Sequence, residues 1–222
     1  VSDPAAVLFD VDGTLVDSNY LHAQAWQAAF RKAGADVATW RIHRAIGMDG
    51  GTLIETLAGD LDEAAADRAD ELHSRFYLDS ADELTLLPGA REILADLHTR
   101  GLRVLLATSA PPDELSLLRK LLDSESALYA VTGGEDVETA KPDPSIVQIA
   151  LERAGVPAHR AVFVGDTVWD ARACAALNVP TIGVLSGGIS RAELQDAGAA
   201  FVCDDVAQLL RELDDSPIAR LL

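Results

Sequence analysis

The stretch Ala5-Ala6-Val7-Leu8-Phe9-Asp10-Val11-Asp12-Gly13-Thr14 decides how this chain is read: an unbroken apolar run passes directly into an acidic turn. Such a run fits a strand buried on both faces, as in a parallel sheet. Three further runs share the character: residues 102–107 end at Thr108, residues 161–164 end at Gly165-Asp166, and residues 179–184 make a fourth. Helical patterns lie between them. Pro88 and Gly89 precede a helix with Ile93, Leu94 and Leu97 on one face, and Gly101 stops it. Asp143-Pro144 reads as an N-cap followed by the first helical residue, since proline has no N–H to lose there. Ile146, Ile149 and Ala150 then face inward, and Gly155 ends the helix. Alternation of this kind predicts an α/β, doubly wound parallel sheet.

From Ser18 to about Leu87 the alternation stops, and the pattern is helical with no convincing strand. Leu21, Ala25, Ala29 and Phe30 mark one helix, Leu53, Ile54 and Leu57 a second, and residues 64–77 a third. A helical block inserted after the first strand suggests a separate small lobe. With 222 residues, 49% of them hydrophobic, the chain can hold one large domain, or one domain with a small insert. A formal charge of −18 repels nucleic acid and anionic membranes. It repels a phosphorylated metabolite too, so such a ligand needs a cation close by; equally, the charge can serve solubility alone. No apolar run is long enough for a membrane span, and the N-terminal residues do not form a signal peptide, which points to the cytoplasm. Cys174 and Cys203 lack metal-ligand spacing and read as small buried hydrophobes.

In open α/β sheets, ligands bind beyond the carboxyl ends of the strands, near the switch in strand order. Asp10 and Asp12, two apart in extended chain, project to one side, and Gly13 permits the tight turn that exposes them. Close carboxylates divide labour: one stays ionised as nucleophile and metal ligand, while the other is raised in pKa and holds a proton for a leaving oxygen. Thr108-Ser109 offers hydroxyls at a strand end, able to hold a phosphate oxygen. Lys141, one of only three lysines, supplies a point charge in Lys141-Pro142-Asp143-Pro144. Asp166, with Asp170 one helical turn on, can pair with Asp10 around Mg²⁺, a hard ion that takes carboxylates, phosphate and water. Each feature alone also has a plain structural reading. These are an Asp-Gly turn, a helix-capping Ser or Thr, a solvated Lys, and acids favoured by a helix dipole. Their recurrence at successive strand ends points to chemistry.

These four elements resemble the motifs of the haloacid dehalogenase superfamily. Asp10-Val11-Asp12-Gly13-Thr14 matches the first, Thr108 the second, Lys141 the third, and Gly165-Asp166-Thr167-Val168-Trp169-Asp170 the fourth. The resemblance implies a Rossmann-like core of residues 1–16 and 88–222 with an α-helical cap domain of residues 17–87. It implies a phosphatase acting on a small phosphorylated metabolite, monomeric or homodimeric. Asp10 would attack phosphorus. Asp12 would be general acid and then base. Mg²⁺ would sit on the Asp10 and Asp166 carboxylates and the Asp12 backbone carbonyl, with Asp170 ligating or supporting. Thr108, Ser109, Lys141 and Gly13 would hold the phosphoryl group.

The helical insert resembles the cap of phosphoglycolate phosphatases and β-phosphoglucomutase. Its loop near residues 46–51, with Gly47 and Met48, lies where relatives read substrate, and hinges would fall near residues 16–18 and 85–87. Asp12 argues against dehalogenation, because dehalogenases of the superfamily carry an aromatic residue there. Phosphonate hydrolases need a cap lysine, and this cap has only Lys32, read as early in its first helix. Tyr20, His22 and Trp26 resemble β-phosphoglucomutase, but Gly50 replaces that enzyme's substrate-gripping arginine. A mutase is the second reading, and a silent metal- or phosphate-binding regulatory module the third. His22 would orient Asp12 or be structural. The basic cluster Arg41, His43 and Arg44 would face the site or solvent.

Overall fold

The buried apolar runs become strands. The computed structural model describes residues 3–137 and 141–222. Its strands are β1 (Ala6–Phe9), β2 (Val16–Asp17), β3 (Thr85–Leu86), β4 (Arg103–Ala107), β5 (Ala130–Thr132), β6 (Ala161–Gly165), β7 (Thr181–Val184) and β8 (Phe201–Cys203). Six of them form one sheet in the order β5-β4-β1-β6-β7-β8, every pairing parallel. This is the doubly wound, Rossmann-like arrangement the sequence predicts. β1 lies between β4 and β6, so the direction of winding switches at its carboxyl end.

Side-chain alternation assigns each sheet face its helices. The helices of this core are α5 (Ala90–Thr99), α6 (Pro112–Leu122), α7 (Ser145–Ala154), α8 (Val168–Ala176), α9 (Arg191–Asp196) and α10 (Val206–Arg211). Val7, Phe9, Val104, Leu106, Val162 and Val164 pack with Ile93, Leu94 and Leu97 of α5 and with residues of α6 and α10. Ala6, Leu8, Leu105 and Phe163 face the other way, onto Ile146, Val147 and Ala150 of α7 and Ala173 and Cys174 of α8. Both cysteines are buried and unpaired.

Between β2 and β3 lie α1 (Asn19–Ala33), α2 (Thr39–Ala45), α3 (Gly50–Ala58) and α4 (Glu63–Asp79). Trp26, Phe30, Ile42, Leu53 and Ile54 build an apolar cluster of their own there. Asp49 and Asp62 cap α3 and α4, accepting from the N–H groups of Thr52 and Ala65. Among the described residues no helix is long and apolar enough to cross a membrane.

Four local expectations need correction. The stretch from Ser18 to Leu87 does contain a strand, β3, which pairs antiparallel with β2. Two residues are too few to leave an alternation in sequence, and the residues read as hinges fall on this ribbon. α7 starts at Ser145 with Pro144 in the capping position; Asp143 still accepts from the Ser145 N–H at 2.9 Å, two residues ahead. α2 and the three-residue strands β5 and β8 are present where the sequence pattern predicts no separate element. Lys32 lies in the last turn of α1, not near its start, and is exposed.

Candidate active site

The carboxyl ends of β1, β4 and β6 bring Asp10, Thr108 and Asp166 to one place, because those strands are neighbours in the sheet. Asp10, Asp166 and Asp170 are all buried, and each offers an oxygen within 4.8 Å of the others. One lysine sits among them. Lys141 Nζ lies 3.0 Å from Asp10 Oδ1 and 2.7 Å from Asp170 Oδ1, with the Phe163 ring 5.3 Å away. Burial works against its charge, but Asp10 and Asp170 outweigh that and hold the ammonium above its ordinary pKa.

The cluster remains short of positive charge. Burial first, then Asp170 and Asp12, push Asp10 up to about 7 against the pull of Lys141. Burial, Asp170 and Asp10 raise Asp166 well above the carboxylate range. Crowded, desolvated carboxylate oxygens beside one ammonium are a donor set that suits a hard divalent cation such as Mg²⁺. The oxygens are not equally available. Asp170 Oδ2 accepts from the Thr167 N–H at 3.0 Å and hydroxyl at 2.6 Å, closing the capping box of α8, and Oδ1 takes Lys141. Asp170 therefore braces Lys141 and α8, which favours the supporting role over the ligating one. Asp166 is oriented by Thr14 Oγ at 3.2 Å and Asn19 Nδ2 at 2.7 Å.

Asp12 faces elsewhere. Its Oδ1 accepts from Ser18 Oγ at 2.5 Å and lies 3.3 Å from His22 Nε2. His22 Nδ1 is 3.0 Å from His73 Nε2, and its ring stacks on Tyr77 with centroids 3.8 Å apart. Burial opposes ionisation of both partners, yet the contact prevails: Asp12 is lowered and His22 raised. Burial and His22 drive His73 well below its ordinary value. A protonated His22 donates from both nitrogens, so neutral His73 accepts at Nε2. The expected division between the first two carboxylates is thus reversed. Asp10 is the raised one because it sits inside the acidic cluster, and Asp12 the lowered one because it turns towards a cation.

The remaining sequence candidates divide. Thr108 is buried, and its Oγ accepts from the Ala110 N–H at 3.2 Å. Ser109 Oγ is buried with no hydrogen-bond partner among the described residues. Both residues line a cavity of about 410 Å³ together with Asp10, Asp12, His22, Gly47, Met48 and Lys141. Gly13 does not fit the expected phosphate contact, since its N–H is spent on Val16 O at 2.8 Å. It supplies room instead: with φ +68°, it sits where a Cβ would overlap Asn19 and the Asp166 carboxylate. Arg44 does not line the cavity either. It pairs with Glu193 of α9, tying α2 to the core, while His43 Nε2 lies 2.9 Å from Gly187 O and Arg41 is exposed.

Sequence reading missed several participants. Ser18 and Asn19 lie four and five residues past the first motif, and that proximity is the available signal. Gly187 lies where a Cβ would overlap Asp166, and nothing local announces it. Glu114, in the first turn of α6, is 2% exposed and lines the cavity. Burial first, and the charge of Asp12, raise it to about 7, although His22 and Ser74 pull it down. In sequence it passes for an acid favouring a helix dipole.

Comparison with known proteins places this geometry. Residues 4–178 match the family model described as haloacid dehalogenase-like hydrolase. A phosphoglycolate phosphatase of Pseudomonas syringae pv. tomato is 30% identical over 214 residues, covering 93% of this chain and 79% of that protein. The phosphoglycolate phosphatase of Rhodospirillum rubrum is 31% identical over 218 residues, covering 93% and 89%. The crystal structure of a hydrolase from Pseudomonas syringae superposes with a TM-score of 0.91 at 34% identity, covering 95% of this chain and 98% of that one. With its acidic first motif, its lysine and its second acidic pair converging at the switch of a doubly wound sheet, the chain belongs to the haloacid dehalogenase-like hydrolases.

Proposed function

We propose that the protein is a magnesium-dependent phosphomonoester hydrolase that passes through a phosphoaspartate on Asp10. Its substrate would be a small phosphorylated metabolite, with phosphoglycolate and sugar phosphates the first to try, given the names of its relatives. One observation carries this reading: Asp10 stands at the centre of the switch point, 3.0 Å from Lys141, while Asp12 turns to a histidine.

The chain's residues divide the work as phosphoryl transfer requires, by positioning and electrostatics. Asp10 Oδ attacks phosphorus, and its new bond forms as the bond to the leaving oxygen breaks. The proton for that oxygen is the one held between His22 and Asp12. Asp12 then takes a proton from the water that attacks phosphorus, which releases phosphate and frees Asp10. Lys141, Thr108 and Ser109 hold the phosphoryl oxygens. Mg²⁺, held by the Asp10 and Asp166 carboxylates and the Asp12 backbone carbonyl, would neutralise the crowded acids and draw charge from the phosphoryl group. The helical block of residues 17–87 serves as the cap over the site.

A mutase must grip a second phosphate. Among the described residues, Lys141 is the only Lys or Arg lining the cavity, which supports hydrolysis over transfer between sugar positions. Phosphate release from phosphoglycolate, hexose 1- and 6-phosphates and 4-nitrophenyl phosphate tests the reading, with Mg²⁺ or with chelator, on wild type and Asp10→Asn. Release that needs the metal and is lost in the variant is the expected result. No release from any ester, with hexose phosphate isomerisation instead, would move the assignment to a mutase.

A further inference from the structure

The two ends of the cavity differ in charge. At the sheet end stand Lys141, Thr108 and Ser109. The end towards the helical block carries Asp49 and Asp70 of that block and Glu114 of α6 and, among the described residues, no Lys or Arg. Asp49 is occupied, capping α3 through the Thr52 N–H and hydroxyl. Glu114 keeps one oxygen free: it is 2% exposed, Ser74 lies close enough to lower its carboxyl, and Oε1 is buried with no hydrogen-bond partner among the described residues. A buried acceptor left unpaired is costly, and a donor on the ligand relieves that cost.

We propose that Glu114 selects the leaving group, so that the pocket takes phosphomonoesters whose departing alcohol carries hydrogen-bond donors, hydroxyl or ammonium, and rejects one that carries a carboxylate. The inference rests on the phosphatase reading above and narrows its substrate class. Burial raises the Glu114 carboxyl to about 7, so above that pH it is ionised, and a carboxylate entering there meets its charge and finds no free cation. His22 is taken up by Asp12 and His73, and Lys141 is held by Asp10 and Asp170. Like charges brought together without water discriminate strongly against the wrong ligand. Size agrees with charge. At about 410 Å³ the cavity lies in the range that holds drug-sized ligands, well beyond what glycolate fills.

The test is the ranking of kcat/KM for 2-aminoethyl phosphate, glycerol 3-phosphate and 2-phosphoglycolate, measured with Mg²⁺ above about pH 8, where Glu114 is ionised, on wild type, Glu114→Gln and Glu114→Lys. Wild type should use the two donor-bearing esters at least about tenfold better than phosphoglycolate. Removing the charge should move the ratio towards phosphoglycolate about tenfold, and reversing it further still. Should either variant fail to fold, the wild-type ranking decides alone. Phosphoglycolate as the best wild-type substrate, or a ratio unmoved in a Glu114→Gln protein that still turns over, overturns the assignment. The first-turn N–H groups of α3 would then be the donors receiving the carboxylate. Release from 4-nitrophenyl phosphate separates the two levels. If that ester is cleaved while phosphoglycolate ranks first, only the role of Glu114 falls. If no ester is cleaved, the phosphatase reading falls and takes the selectivity with it.

Discussion

The cavity wall that rises from the sheet and the wall that hangs from the helical block are built by different rules. On the sheet side, Asp10, Lys141, Asp166 and Asp170 are each at most 4% exposed and cross-braced by Thr14, Thr167 and Asn19. Asp10 and Asp166 directly follow parallel strands that cannot slide without turning their side chains to the other face. On the block side, His22, His73, Trp26 and Tyr77 form a stack carried by α1 and α4, and Glu114 reaches in from α6 with an unpaired oxygen. The first wall fixes which chemistry is available. The second governs what may leave, and helix faces can change there without disturbing the sheet.

Breaking the sheet wall should have the largest effect. Lys141→Ala leaves Asp10 and Asp170 as unpaired buried charges, so urea unfolding should show a loss of about 3–5 kcal/mol along with the loss of turnover. Mg²⁺ should raise the melting temperature of wild type progressively with its concentration, beyond the point where the site is full. In Asp166→Asn that rise should vanish, while a rise of equal size would place the ion elsewhere.

Glu114 sharpens the contrast through pH. Its carboxyl is raised from 4.5 to about 7 by burial, so the folded state keeps a proton that the unfolded chain releases. Stability tied to that proton is complete below pH 4.5 and lost as pH rises through 7. Relative to Glu114→Gln, wild type should therefore lose up to about 3 kcal/mol between acid and pH 9. Parallel stability curves would show that Glu114 titrates normally. His22→Gln should slow alkyl phosphates by about 10²-fold and aryl phosphates much less, because only the poor leaving group needs the proton. The smallest effect belongs to Arg44→Ala. Its partly exposed pair with Glu193 is worth about 0.5 kcal/mol, and KM should hold, since Arg44 does not line the cavity.

The same contrast explains what the sequence made legible. Asp10, Thr108 and Asp166 each follow a buried apolar run, and the short length of such a run with turn residues at its end marks it as a strand and marks where it stops. Strands of two or three residues, such as β3, β5 and β8, are too short to carry a period. α2 has Ala38 in its capping position, with no side chain to cap it, so nothing marks its start. Whether Arg44 faces the cavity or solvent stays open in the sequence, because helical periodicity shows which residues share a face, and not what that face meets. The pairing of His22 with His73 and the turn of Asp12 away from Asp10 depend on α1 packing against α4, a contact between distant segments that leaves no local trace. Glu114 stayed hidden because a first-turn acid is ordinary on any exposed helix, and only burial makes it unusual.

The central claim is that Asp10 carries the phosphoryl group. Acid quenching of the enzyme during turnover of a ³²P-labelled phosphomonoester, followed by peptide mapping, tests it most directly. The account predicts a hydroxylamine-labile label on the peptide holding Asp10 and turnover at least about 10³-fold lower in Asp10→Asn. Label on another residue, or Asp10→Asn turning over at a rate close to wild type, would contradict it.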